Sequence, residues 1–210
     1  MKVIAVIDYH MGNLHSVAKA LEYVSLPFGF KICVTNEVDL ILSADAIVLP
    51  GVGAFGKGVE NLKKIRIFDV LKKRITEGVP FLGICLGLQL LFTESQEHGN
   101  FQGLGLIEGK VVRFSAGVKI PHMGWNQVFY RTKEAGDTLF KNMRNEEYFY
   151  FVHSYYVSPV DEKVILSTTN YGVEFASVVK KDNIYGVQFH PEKSSSLGLD
   201  VFSNFIKLII

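Results

Sequence analysis

The chain has 210 residues, with 22 Lys and Arg against 21 Asp and Glu, a net charge of +1, and 48% of its residues are hydrophobic. That balance gives no electrostatic pull toward a phosphate backbone or an anionic bilayer, which sets aside nucleic acid and membrane surfaces, and the hydrophobic content sets aside disorder. No apolar run approaches the roughly 20 residues of a bilayer-spanning helix. The apolar stretch after Met1 meets Asp8 too soon for a secretory leader, so the cytoplasm is the expected compartment.

In chain order, Lys2 to Asp8 is a Val- and Ile-rich run, as expected of a strand buried on both faces. Leu14, Val17, Ala18, Leu21 and Val24 then repeat at helical spacing. Phe30 to Val34 reads as a second strand and Ala46 to Leu49 as a third, stopped by Pro50-Gly51. Phe55 to Thr76 is charged and periodic, a helical stretch whose Lys-rich turns are solvated faces. Phe81 to Ile84 is a fourth strand, with a helix over Leu86 to Phe92 following at once. Repeated βα units predict a doubly wound, mostly parallel α/β sheet.

After Gly99 the pattern turns strand-like: Lys110 to Phe114, Trp125 to Tyr130, Tyr148 to Val157, Val164 to Thr169, Glu174 to Lys180 and Ile184 to Phe189, the last two joined at Asp182-Asn183 as a hairpin. Leu199, Phe202, Phe205, Ile206 and Ile209 mark a closing amphipathic helix. With no linker between the halves, residues 1–210 read as one domain whose second half adds antiparallel strands to the sheet.

Two cysteines make no disulfide scaffold, and the six histidines show no metal-ligand spacing, so no metal is expected. Two glycine-rich segments remain. Gly51-Val52-Gly53-Ala54-Phe55-Gly56 fits a dinucleotide fingerprint, but it follows the third strand instead of the first, and the acidic residues some 20 positions on, Asp69 and Glu77, lie inside helical pattern. A structural turn or an anion-stabilising loop fits it better.

Pro80 to Gln89 is more informative. A buried strand runs without a gap into a helix, and Cys85 sits at the junction between Gly83 and Gly87, the thiol form of a nucleophile elbow. The bend must be tight, so the positions two before and two after the nucleophile must lack side chains. The helix N-terminus then faces the sulfur, and the N–H of Leu86 is the natural first oxyanion donor. Cys33, in a plain apolar strand, reads as core. A thiol nucleophile needs a base, and the base needs an orienting acceptor. Gly186 to Glu192 offers both. If the chain stays extended through Pro191, His190 and Glu192 project to one face. His153, inside an aromatic run, is the weaker rival, better read as a partly buried strand residue.

The elbow and the His-Pro-Glu segment, about a hundred residues apart and in this order, resemble the class I (triad-type) glutamine amidotransferases, with their flavodoxin-like sheet. Asp8-Tyr9 with Gly12-Asn13-Leu14, Pro50 to Gly53, Pro121-His122-Met123-Gly124-Trp125-Asn126 and His190 to Ser194 extend the resemblance over essentially the whole chain. They are similar to the branch that serves histidine biosynthesis as the glutaminase half of a heterodimer. The resemblance implies glutamine as substrate, Cys85 as nucleophile, His190 and Glu192 as the acid–base couple, and Gly51 and Val52 as a second oxyanion donor beside Leu86. It implies that Gln89, Glu97, Ser154 and Tyr155 hold the glutamine. It further implies a separate (β/α)8-barrel cyclase that takes the ammonia, faced by Met123, Trp125, Asn126 and Lys193, and no cofactor. Other readings stay open: a paralogous glutaminase serving another ammonia-dependent synthase such as sugar amidination, a stand-alone Cys hydrolase, and a non-catalytic nucleotide sensor built on Gly51 to Gly56.

Overall fold

The computed structural model describes residues 2–115, 117–131 and 138–210. The first apolar run forms β1 (Val3–Ile7), and its side chains alternate between two hydrophobic clusters, Ala5 and Ile7 in one, Ile4 and Val6 in the other. A strand sealed on both faces requires helices on both. β2 (Lys31–Thr35), β1, β3 (Ala46–Gly51), β4 (Phe81–Cys85) and β13 (Ile184–Val187) lie side by side, all parallel. α1 (Leu14–Ser25) and α6 (Ser195–Lys207) send Val17, Leu21, Val201 and Phe205 into one cluster. α2 (Val38–Ser43), α3 (Phe55–Lys64) and α4 (Phe68–Thr76) send Ile41, Val59, Leu62 and Leu71 into the other.

Beyond β13 the sheet continues mainly antiparallel. β12 (Glu174–Lys181) returns through the expected turn, where Asp182 takes a φ of 50°. β10 (Tyr155–Pro159), β7 (Ile107–Arg113), β5 (Phe92–Ser95) and β6 (Phe101–Gln102) follow in that order. From β12 a branch leads through β11 (Ile165–Asn170) to β8 (His122–Tyr130) and β9 (Glu147–His153). The doubly wound parallel centre with antiparallel additions is the architecture the sequence predicted.

Three expected elements differ. The helical stretch from Phe55 to Thr76 is two helices, because Arg66 adopts a φ of 62° while the Ile67 N–H reaches back to the Leu62 carbonyl at 3.0 Å, a closure that ends α3 without glycine. The helix over Leu86 to Phe92 is only one turn, α5 (Leu86–Gln89). Its apolar continuation is instead captured as sheet, with the Leu104 N–H on the Leu90 carbonyl at 2.8 Å and the Gly103 N–H on the Thr93 carbonyl at 2.9 Å. A short buried apolar run has no periodicity that separates helix from strand. Tyr148 to Val157 is two strands, broken at Ser154 where the chain leaves β8 and pairs instead with β7 and β12. α2, β5 and β6 were not foreseen.

Candidate active site

The carboxyl ends of the parallel strands converge. Gly51 closes β3 directly opposite Cys85 at the end of β4, and Val187 on β13 pairs with Ile84. Ligands of open α/β sheets gather at this edge.

Cys85 takes φ 53° and ψ −104°, a strained conformation for a residue with a side chain, and Leu86 begins α5 at once. The flanking glycines are sterically required. A Cβ on Gly83 would stand 2.6 Å from the Gly87 carbonyl oxygen, and one on Gly87 would meet the Leu49 carbonyl oxygen of β3 at 1.7 Å. The elbow is therefore pressed against its neighbouring strand as well as against itself. Leu86, first in the helix, has no helical carbonyl for its N–H. Gly51 is equally constrained, since a Cβ there would come within 1.8 Å of the Tyr9 hydroxyl oxygen. That hydroxyl is buried without a hydrogen-bond partner, and its pKa is raised by burial and then by the charge of Cys85. Val52 lies just past β3 and is 41% exposed.

His190 lies three residues past β13, with its N–H on the Tyr150 carbonyl at 2.8 Å and its Nδ1 2.8 Å from Glu192 Oε1. Both side chains are buried. The pairing expected from an extended chain is present, but by another geometry: Pro191–Lys193 is a 3-10 turn. It is fastened by the Ser194 hydroxyl, which donates to the His190 carbonyl at 2.7 Å and accepts from the Tyr150 N–H at 3.0 Å. Gly198 of α6 fits under it, where a Cβ would stand 1.8 Å from the Pro191 oxygen. Burial alone lowers an imidazole pKa; here the Cys85 sulfur and Glu192 override it and raise that of His190 to about 10. His190 Nε2 is buried with no formed hydrogen bond, and of the influences that raise the ring's pKa the charge of the Cys85 sulfur is the largest. The neighbours thus favour the protonated ring, the form that can deliver a proton to a leaving amine.

Cys85 is 5% exposed, yet it opens onto a cavity of about 360 Å³ that Leu86, Gln89, Glu97, Ser154 and Tyr155 also line. Of the residues expected around glutamine, all four are here. Gln89 Nε2 donates to the Tyr155 carbonyl at 3.0 Å and to Gln188 Oε1 at 3.2 Å. Glu97 Oε2 accepts from the Phe55 N–H at 2.8 Å, which ties one carboxylate oxygen to the first turn of α3. Among the described residues no cluster of three or more His, Cys, Asp or Glu could hold a metal ion. A wider groove of about 540 Å³ lies between α1 and α6 and holds none of these residues.

Of the residues expected to face a partner, Met123, Trp125 and Lys193 lie on one surface and Asn126 does not. Met123 and Trp125 alternate on β8 and are 61% and 51% exposed. Trp125 meets Tyr150 edge-on at 6.1 Å, and Lys193 Nζ lies 5.7 Å from the centre of the same ring. Asn126 is turned inward, donating to the Asn170 carbonyl at 2.9 Å. Tyr150, and the exposed Tyr148 two residues before it, were missed, because the contact of Tyr150 with Trp125 runs across the β8–β9 register. Gln188 was also missed. It is fully buried, and its Nε2 donates to Cys85 Sγ at 3.5 Å. The signal was there, an amide inside the apolar run Val187-Gln188-Phe189. His153 also lines the cavity, but its two ring nitrogens are taken by His122 and the Tyr155 carbonyl, not by the thiol.

An elbow thiol, an imidazole paired with a buried carboxylate and a polar cavity are parts that thiol-dependent amide cleavage requires. Residues 5–208 match the family Glutamine amidotransferase class-I, and the chain belongs to it. The chain is 48% identical over 200 residues to the imidazole glycerol phosphate synthase subunit HisH of Aquifex aeolicus, an alignment spanning 95% of this chain and 94% of that one. To the subunit of the same name from Methanocaldococcus jannaschii it is 47% identical, over 99% of this chain and 100% of that one. The fold is shared with PurLQS from Thermotoga maritima, with a TM-score of 0.74 at 20% identity over 100% of this chain and 99% of that one. No helix among the described residues is long and apolar enough to cross a membrane.

Proposed function

We propose that this chain is the glutaminase subunit of an imidazole glycerol phosphate synthase, hydrolysing glutamine and passing the ammonia to a separate cyclase in histidine biosynthesis. The observation that carries the reading is the seating of Cys85, on a strained elbow at the floor of a polar cavity and beside an imidazole held by a buried carboxylate. The whole of 1–210 serves as one glutaminase domain, in the cytoplasm, with Gln89, Glu97, Ser154 and Tyr155 holding the amino-acid end of glutamine.

Cys85 Sγ attacks the side-chain amide carbon, and the carbonyl becomes an oxyanion. The Leu86 N–H and an N–H from the Gly51-Val52 peptide receive it. His190, held by Glu192, delivers its proton from Nε2 to the departing nitrogen, and ammonia leaves behind a thioester. The now neutral imidazole draws a proton from water, the hydroxide adds to the thioester carbon, and collapse releases glutamate and restores the sulfur. Glutamine plus water has become glutamate plus ammonia. Met123, Trp125 and Lys193 dock a (β/α)8-barrel cyclase, with Asn126 bonded behind them, and the ammonia passes across that face instead of escaping to water.

The test is to purify the chain with its native interactor and measure both glutamate release and product formation by the complex. The Cys85→Ala complex is expected to lose glutamine-dependent synthesis and to keep synthesis from ammonia. Equal glutamate release with and without the partner would favour a stand-alone hydrolase, and consumption of the ammonia by a different acceptor would favour a paralogous synthase.

A further inference from the structure

One buried polar cluster takes no part in the mechanism above. His122 and His153 face each other across the β8–β9 register, both nearly inaccessible, with Nδ1 of His122 2.9 Å from Nε2 of His153. Phe151 and Tyr171 both stack on the His122 ring, at 4.9 and 4.0 Å between centres. Two buried imidazoles in contact are uncommon enough to require an account of every proton.

The account closes from both ends. At the outer end, Asn126 Oδ1 accepts from the Gln127 N–H at 2.8 Å while Nδ2 donates to the Asn170 carbonyl, so the amide cannot be reversed without setting donor against donor and acceptor against acceptor. Nδ2 therefore presents its other proton to His122 Nε2 at 3.2 Å, and that nitrogen must be a bare acceptor. At the inner end, His153 Nδ1 lies 2.8 Å from the Tyr155 carbonyl, which can only accept, so this nitrogen carries a proton. The remaining contact is then His122 Nδ1–H donating to a bare His153 Nε2. One arrangement satisfies every atom: both rings neutral, both protonated on Nδ1.

The chain does not stop at Tyr155. Its carbonyl also accepts from Gln89, Gln89 continues to Gln188, and Gln188 donates to the Cys85 sulfur. An unbroken series of hydrogen bonds thus runs from Asn126, beside the exposed Trp125, to the nucleophile.

We propose that His122 and His153 are positioning residues, a neutral Nδ1–H pair that fixes the Tyr155 carbonyl from behind and so sets the orientation of Gln89 toward glutamine. The proposal rests on the reading of Gln89 and Tyr155 as glutamine-holding residues. The direction of titration agrees. Burial lowers the His122 pKa to about 4. It lowers that of His153 to about 3, with the Tyr155 carbonyl pulling back and the charges of His122 and His190 pushing further down. An added proton on either ring would place N–H against N–H.

Two measurements decide it. Imidazole nitrogen NMR on the ¹⁵N-labelled unmodified chain at pH 7 is expected to show two neutral histidines protonated on Nδ1, one with a strongly downfield proton shared between rings. His122→Phe keeps the stacking between Phe151 and Tyr171 and removes both nitrogens. In the complex it is expected to raise the KM for glutamine about tenfold, the scale of one lost neutral hydrogen bond, with a smaller change in kcat. A merely structural pair would lower the melting temperature and leave KM alone. Nε2-protonated or charged rings at pH 7, or a folded His122→Phe with KM within twofold of the parent, overturns the proposal. Should the variant fail to fold, the tautomers in the unmodified chain still decide. Should the unmodified complex release no glutamate, the glutaminase reading falls separately. The pair is then tested by whether His122→Phe shifts the Gln89 and Gln188 side-chain amide signals, and unmoved signals overturn it.

Discussion

His190 and His153 are both almost wholly buried, 1% and 5% exposed, and both lose hydration that an imidazolium would need. They nevertheless titrate in opposite directions. His190 has a carboxylate on Nδ1 and a sulfur beside it, and its pKa rises to about 10. His153 has a backbone carbonyl on Nδ1 and a second imidazole on Nε2, and its pKa falls to about 3. Burial is common to both, so what separates a proton donor from a neutral strut is the charge of the immediate neighbours. The two sites lie on adjoining segments, since His190 bonds the backbone of β9 at Tyr150, three residues before His153.

The largest way to break this contrast is to remove the sulfur. Cys85→Ala is expected to lower glutamine hydrolysis by at least about 10⁴-fold, and to lower the His190 pKa, since the charge that most raises it is gone. Glutamate release and imidazole NMR titration check the two halves. Next in size, Glu192→Gln leaves the turn but takes the negative charge from Nδ1. A drop of about 10³–10⁴-fold in kcat is expected, by analogy with loss of the orienting carboxylate in a hydrolytic triad, together with a downward move of the His190 titration. An unchanged pKa in that variant would mean Glu192 orients the ring without charging it. Gly51→Ala acts on the same sulfur from the other side. Its Cβ has no room beside the Tyr9 hydroxyl, so the peptide that supplies an oxyanion donor must shift, with a loss of about 10²–10³-fold in kcat.

The smallest effect is on stability, and its sign differs between the sites. The His190 pKa is above the ordinary value of 6.5, so its contribution is complete below about pH 6.5 and is lost as pH rises toward 10. The pKa values of His122 and His153 are below it, so between about pH 6.5 and 4 the unfolded chain binds protons that the folded one refuses, and stability falls as pH falls. Denaturant midpoints across this range, in the parent and in His122→Phe, should show the acid-side loss reduced in the variant.

The elbow was legible in the sequence because its requirement is local: two glycines and a cysteine within five residues state the steric problem and its solution. The His190–Glu192 pair was legible as a pair but not as a shape. A proline after a strand end excludes regular helix, yet it leaves both extended chain and the 3-10 turn that forms. The one-turn α5 and the break at Ser154 were hidden because uniformly buried runs carry no period. The His122–His153 contact and the Tyr150 platform lay beyond reach for another reason. They depend on the register of β8 against β9, which brings together residues 31 and 25 positions apart and is set by packing, not by either segment alone.

The seat of Gly87 on the Leu49 carbonyl has a consequence for engineering. The elbow that carries the thiol and the strand that ends in the Gly51 loop are keyed together two residues after Cys85 and two residues before Gly51, at a point where no methyl group fits. Grafting the Gly-Ile-Cys-Leu-Gly segment onto another scaffold would carry over the bend and leave behind the ledge it rests on. A transplant that aims to keep the chemistry must move both strands as one cassette.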